Sequence, residues 1–184
     1  MYLCEILLAL EDLHARDIIY RDLKPENVVL DDHGHAQLTD FGLSKEGVFE
    51  GNKGAKSFCG SVAYLAPEML CKAGHGKSVD WYLLGVLLYE MTVGQPPYYS
   101  ESKQELFKNI QNGKLLLPES MSQEAKHLIV HLLNRNKSRR LGAGPTGANE
   151  IKEHPFFKDI DWREVEKRKL PVTRPRATIQ KFKE

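Results

Sequence analysis

The stretch VDWYLLGVLLYEMTV at residues 79–93 constrains the fold more than any other. Apolar side chains point in nearly every direction around a helix of that length, so the segment has to be enclosed by other elements rather than laid on a surface. A bilayer would also enclose it, but the uncharged run is short and is closed by Asp80 and Glu90, which argues against a membrane span. With 184 residues, 41% of them hydrophobic, the chain has material for one sizeable core around such a helix. Two amphipathic stripes supply the enclosure. Leu3, Ile6, Leu7, Leu10 and Leu13 recur at helical spacing in the opening segment. Ala125, Leu128, Ile129, Leu132 and Leu133 do so behind Ser122, a capping residue, with Glu124 in the first turn. Although apolar, the opening is not read as a signal peptide, because Glu5 interrupts it and no basic segment precedes it.

Beyond these stripes, Lys plus Arg number 26 against 25 Asp plus Glu, a formal charge of +1, so no overall basic field points to nucleic acid or an anionic membrane. Three cysteines, Cys4, Cys59 and Cys71, lack a C-x-x-C spacing and fit a reducing, intracellular compartment, the cytoplasm or the nucleus. The glycine-rich stretch at 43–63 is a long loop, GAGPTGAN at 142–149 is another, and the basic segment from Phe156 onward reads as an extended tail.

Chemistry concentrates in YRDLKPENVVLDDHGHAQLTDFG, residues 20–42. NVVL, DDHG and HAQLTD read as strand, turn and strand. If Asn27 begins the first strand and Asp40 ends the second, antiparallel pairing sets them side by side. An amide oxygen next to a carboxylate suits Mg2+, a hard cation that completes its shell with water and phosphate. Asp22 then lies near the same site as a base that orients a hydroxyl, and Lys24 places a compact positive charge on a phosphoryl oxygen.

YRDLKPEN, then DFG, then APE at 66–68 resembles the signature set of eukaryotic protein kinases. The resemblance implies a mainly α large lobe with a small antiparallel β-hairpin at the active site, ATP and Mg2+ as cofactors, and protein substrates phosphorylated on serine or threonine. It implies Asp22 as catalytic base, Lys24 on the transferring phosphate, Asn27 and Asp40 on the metal, and Val29 and Thr39 lining the adenine pocket. Phe41 and Gly42 set the loop conformation, Glu68 pairs with Arg140, and Asp80 supports the catalytic-loop backbone. Tyr20 in place of histidine, SFCGS at 57–61, RRLG, HPFF and IDWREV are similar to the AGC group, in the branch of Akt, SGK and the ribosomal-protein-S6-kinases. From that group come Ser57 as activation-loop phosphosite, modified by an upstream activating kinase and held by Arg21, and Glu26 and Glu90 as grips for substrate arginines. Ser61, Phe58, Val62 and Leu65 complete the substrate surface.

Val62-Ala63 stands where such kinases carry Pro-Glu, and neither a GxGxxG loop nor a VAIK-type lysine occurs. Residues 1–157 are therefore expected to form a large lobe without its small lobe, and 158–184 the start of a tail, in a monomeric protein with no transmembrane segment. The alternative is a catalytically inactive truncated isoform that acts as an interaction module. His127 and His131, at i and i+4, are taken as helix-face residues because no third ligand for zinc is identifiable, and His33 and His35 as turn residues.

Overall fold

A computed structural model describes residues 1–47, 62–71 and 74–172. Its elements run α1 (Tyr2–Ala15), β1 (Val28–Leu30), β2 (Ala36–Leu38), α2 (Pro67–Leu70), α3 (Ser78–Val93), α4 (Lys103–Asn112), α5 (Gln123–Leu132), α6 (Ala148–Lys152) and α7 (Trp162–Glu166). Short 3₁₀ turns sit at Pro25–Asn27, Val62–Tyr64, Lys137–Arg139 and Pro155–Phe157.

Every residue of α3 from Val79 to Tyr89 is buried, as its unbroken apolar run requires. The helix packs against α1 on one side and α5 on another. A Cβ on Gly85 would lie 2.8 Å from Leu132 Cβ, so only glycine permits the close approach of α3 to α5. Gly94, at φ 90°, ends the helix in the left-handed conformation that terminates helices most readily. On α1, Leu3, Ile6, Leu7 and Leu10 form the expected inward stripe, and the Ser122 side chain accepts a hydrogen bond from Ala125 N to cap α5. Burying each such leucine contributes about 2 kcal/mol. Tyr98, Leu106 and Ile110 make a smaller cluster under α4, whose last carbonyls, those of Asn109 and Ile110 and the following Gly113, accept from Arg135.

The hairpin pairs Val28 with Leu38, Val29 with Gln37 and Leu30 with Ala36. Asp31 shapes its turn by accepting from the backbone N–H groups of His33 and His35, with Gly34 at φ 92°. His33 is an exposed turn residue, but His35 is buried, with Nδ1 2.5 Å from Glu5 Oε1, while Glu5 Oε2 accepts from Ala36 N at 2.7 Å. The residue that interrupts the apolar opening thus clamps the hairpin onto α1.

Two boundaries shift from expectation. Residues after Phe156 are not extended throughout, because Asp161 caps α7 and both Phe157 and Val165 are 2% exposed within the main core. The loop expected at 142–149 gives way to α6 at Ala148, whose side chain is buried. Among the described residues no helix is long and apolar enough to cross a membrane.

Candidate active site

The site grows from the loop that follows α1. Asp80, fully buried in the first turn of α3, accepts from Tyr20 N at 2.9 Å and Arg21 N at 2.8 Å. Its Oδ2 also lies 2.7 Å from His14 Nε2, a partner the sequence did not single out. Arg21 has φ 69°, unusual for a residue with a side chain, and the Asp80 carboxylate holds the backbone there. The next residue, Asp22, is 5% exposed.

Two side chains converge on Asp22. Lys24 Nζ donates to its Oδ2 at 2.9 Å, and Asn27 Nδ2 donates to the same oxygen and to the Asp22 carbonyl, both at 2.8 Å. Both Asn27 contacts are to oxygens, so its amide nitrogen is the atom that faces Asp22, and the amide oxygen is turned away.

Asn27 does not begin the strand as expected. Pro25 opens a 3₁₀ turn that ends at Asn27, and the register places Thr39 opposite it: Thr39 N donates to Asn27 O at 2.9 Å. Asp40 follows Thr39 with φ 55°, exposed, its Oδ1 accepting from Gly42 N at 3.1 Å. The metal-ligand candidates therefore come from one hairpin but sit one residue out of direct opposition. Phe41 is 50% exposed and meets the Tyr20 ring edge-on at 5.5 Å, while the Tyr20 hydroxyl donates to Thr39 O. Val29 is exposed on β1 and Thr39 half-buried beside it. Arg21 Nε donates to Leu43 O, and Ile19 and Lys45 exchange backbone hydrogen bonds, so the segment after Gly42 is tied to the Asp22 loop.

Glu26 is exposed on the 3₁₀ turn. Glu90 is half-buried and accepts from the Tyr64 hydroxyl at 2.5 Å, a contact that the sequence reading missed and that pushes the Tyr64 phenol well up, after burial. Val62 is half-buried, whereas Leu65 is 2% exposed within the core and shapes this surface only from beneath. Ser57, Phe58, Cys59 and Ser61 lie outside the described residues. Away from the site, Arg140 grips Glu68 with two hydrogen bonds of 2.6 and 3.0 Å, donates to the Ser78 and Asn134 carbonyls and stacks over the Tyr82 ring.

His75 is 2% exposed, and neither of its ring nitrogens has a hydrogen-bond partner among the described residues. Burial, reinforced by the positive charges of Arg21 and Lys45, pushes its pKa down to about 4, so the ring is neutral at ordinary pH.

A carboxylate held by a lysine and an asparagine, on a loop fixed from within the core and joined to a hairpin that ends in a second carboxylate, is suited to phosphoryl chemistry. Sequence comparison agrees. The protein kinase domain family matches residues 1–157. The chain is 51% identical over 169 residues to ribosomal protein S6 kinase beta of Caenorhabditis elegans, covering 92% of this chain and 30% of that protein. It is 49% identical over 172 residues to protein kinase 2 of Dictyostelium discoideum, covering 94% and 35%. Human ribosomal protein S6 kinase alpha-3 is 49% identical over 169 residues, covering 92% and 23%. The chain thus spans about a third or less of the length of these relatives. By these matches it belongs to the protein kinase domain family, in the AGC group that includes the ribosomal protein S6 kinases.

Proposed function

We propose that the chain supplies the catalytic loop and metal-binding hairpin of a serine/threonine protein kinase that moves the γ-phosphoryl group of ATP to a protein hydroxyl. The observation that carries this reading is the convergence of Lys24 and Asn27 on the Asp22 carboxylate, within a loop hung from Asp80. Asp22 orients the acceptor hydroxyl and takes its proton. Lys24 lies 2.9 Å from Asp22, close enough to set its charge against a phosphoryl oxygen beside that hydroxyl.

Protein kinases generally use ATP and Mg2+. The donors here fit that cation: the Asn27 nitrogen is committed to Asp22, which leaves its amide oxygen for a metal, and Asp40 adds an exposed carboxylate. Bound there, magnesium offsets charge on the phosphates. Val29 and Thr39 form the floor under the adenine, and Phe41 and Gly42 set the conformation of the segment that carries Asp40.

Glu26 and Glu90 favour substrates with arginine before the acceptor, since carboxylates hold guanidinium groups through paired hydrogen bonds. Phe58 and Val62, supported from below by Leu65, favour an apolar residue just after the acceptor, and Ser61 completes the substrate surface. Phosphate added to Ser57 by an upstream kinase engages Arg21 and orders the substrate surface. Residues 1–157 form the catalytic unit and 158–184 a tail, in a monomeric enzyme of the cytoplasm or nucleus.

The test is transfer of labelled phosphate by the full-length protein to a serine peptide preceded by arginines. Asp22→Asn is expected to lower the rate about 100-fold or more. An unchanged rate in that variant would overturn the assignment. Glu90→Gln is expected to weaken the arginine preference about tenfold, the loss of one charge-assisted contact.

A further inference from the structure

Three histidines meet where α5 adjoins the Pro155–Phe157 turn. His127 and His131 lie one turn apart on α5 with rings stacked at 4.0 Å, and His154, at the start of the turn Pro155–Phe157, stacks on His127 at 4.9 Å. A surface pocket of about 500 Å³ opens onto all three.

Hydrogen bonding assigns the protons. Phe156 N donates to His154 Nδ1 at 3.1 Å, capping the turn, so a neutral His154 carries its proton on Nε2. That Nε2 is 2.7 Å from His127 Nδ1, which must accept, and the His127 proton sits on Nε2. His131 Nδ1 is 2.8 Å from the His127 carbonyl, which only accepts, so His131 is protonated on Nδ1. A further proton on His154 or His127 has to go to a nitrogen that is already accepting a hydrogen bond. A proton on His131 breaks none of these bonds but sets a charge against the stacked His127 ring. Metal ligation by His127 or His154 would have to displace the same bonds, and among the described residues no group of three such side chains is arranged to hold a metal.

We propose that His127, His131 and His154 form an acid-released latch between α5 and the Pro155–Phe157 turn, closed while His154 is neutral and opened when His154 takes a second proton. The latch fastens more than the turn. Phe157, 2% exposed, packs against Trp162 of α7 at 5.2 Å, so the turn carries the α7 layer with it.

The electrostatics agree with the geometry. Burial, then the charges of His127 and His131, lower the His154 pKa, and these two rings are the charges that act on it. Around the cluster, Glu124 is exposed and bonded to Ser122 and its own backbone, with Lys158 nearby, and Lys126 donates to the Glu119 carbonyl. Glu153, next to His154, is exposed. Because the folded-state pKa is lowered, the opened or unfolded segment binds protons first as pH falls. The latch is therefore fully closed above the ordinary histidine range, near 6.5, and weakens below it.

Nitrogen-15 NMR of the imidazoles and amide hydrogen exchange in the wild-type chain test this. At pH 7.5 the expected tautomers are Nε2–H at His127 and His154 and Nδ1–H at His131. Between pH 7.5 and 5.5, protection of Phe156 and Phe157, corrected for intrinsic exchange, should fall severalfold relative to α3. His154→Asn keeps an acceptor for Phe156 N but cannot titrate, so its protection should be independent of pH over that window. An Nδ1–H tautomer at His154, unchanged protection in acid, or a His154→Asn variant that keeps the wild-type pH response would each overturn the latch.

Discussion

Asp80 and Glu68 are both carboxylates buried near α3, yet they are satisfied by opposite means. Asp80 receives two backbone N–H groups and a histidine ring, so its charge is met mainly by neutral dipoles belonging to the loop it holds. Glu68 receives one guanidinium through two parallel bonds, so its charge is cancelled by another charge. Removing a partner of Glu68 strands an ion in the core, whereas removing Asp80 strands backbone donors and frees a conformation. The Glu68 arrangement governs whether the chain folds, and the Asp80 arrangement governs what shape the loop carrying Asp22 keeps.

Arg140→Met breaks the comparison from one side and should have the largest effect. It leaves Glu68 charged and unpaired, at a cost of about 3–5 kcal/mol in urea unfolding. Adding Glu68→Gln should return much of that loss. If the single change costs less than about 1 kcal/mol, the pair is not the fastening described.

Asp80→Ala attacks from the other side. Two buried donors lose their acceptor, worth about 2–4 kcal/mol together. The sharper sign lies in activity: phosphate transfer by the full-length protein should fall further than the loss of folded molecules explains, because Arg21 is released from φ 69°. Arg140→Lys should do the reverse, lowering stability while each folded molecule stays active.

His75 extends the contrast to a buried group whose ring nitrogens meet neither kind of partner among the described residues. Its folded pKa of about 4 lies below the unfolded value near 6.5, so the unfolded chain takes up the proton first. Its contribution is flat above that range and falls by roughly 2–3 kcal/mol as pH drops toward 4. His75→Gln should remove that share of the slope, seen by comparing urea titrations at neutral and acid pH.

Glu5→Gln is the mildest change. One oxygen still accepts from Ala36 N, but the His35 contact weakens, for a loss of about 1 kcal/mol. Faster exchange at Ala36 with α3 unaffected would place the effect in the hairpin. Equal acceleration in both would show that the clamp serves the whole core.

Much of this was legible in the sequence where periodicity or turn chemistry carries it. The enclosed α3, the stripes of α1 and α5 and the hairpin all follow from residue spacing. The gathering of Asp22, Lys24 and Asn27 was foreseen, but the register was not, because Pro25 turns Asn27 into the end of a 3₁₀ turn. Asp80, Glu68 and Arg140 were recognised only through family resemblance, since a lone buried charge leaves no pattern of its own. The pairs Glu5 with His35, Tyr64 with Glu90 and His127 with His154 join positions 30, 26 and 27 residues apart, and nothing in one sequence announces such meetings. The short α7 did carry a signal, Asp161 in IDWREV as a helix cap, which the basic composition around it obscured.

The Glu5 clamp also implies an order of assembly. It joins α1 to residues 35 and 36, so the hairpin can dock once that much chain has left the ribosome. The Asp80 contacts reach back 59 to 66 residues and wait for the start of α3, roughly several seconds later at usual rates of synthesis. The nascent chain therefore passes through an interval in which both candidate metal ligands are already on a docked hairpin while the loop carrying Asp22 has no fixed shape.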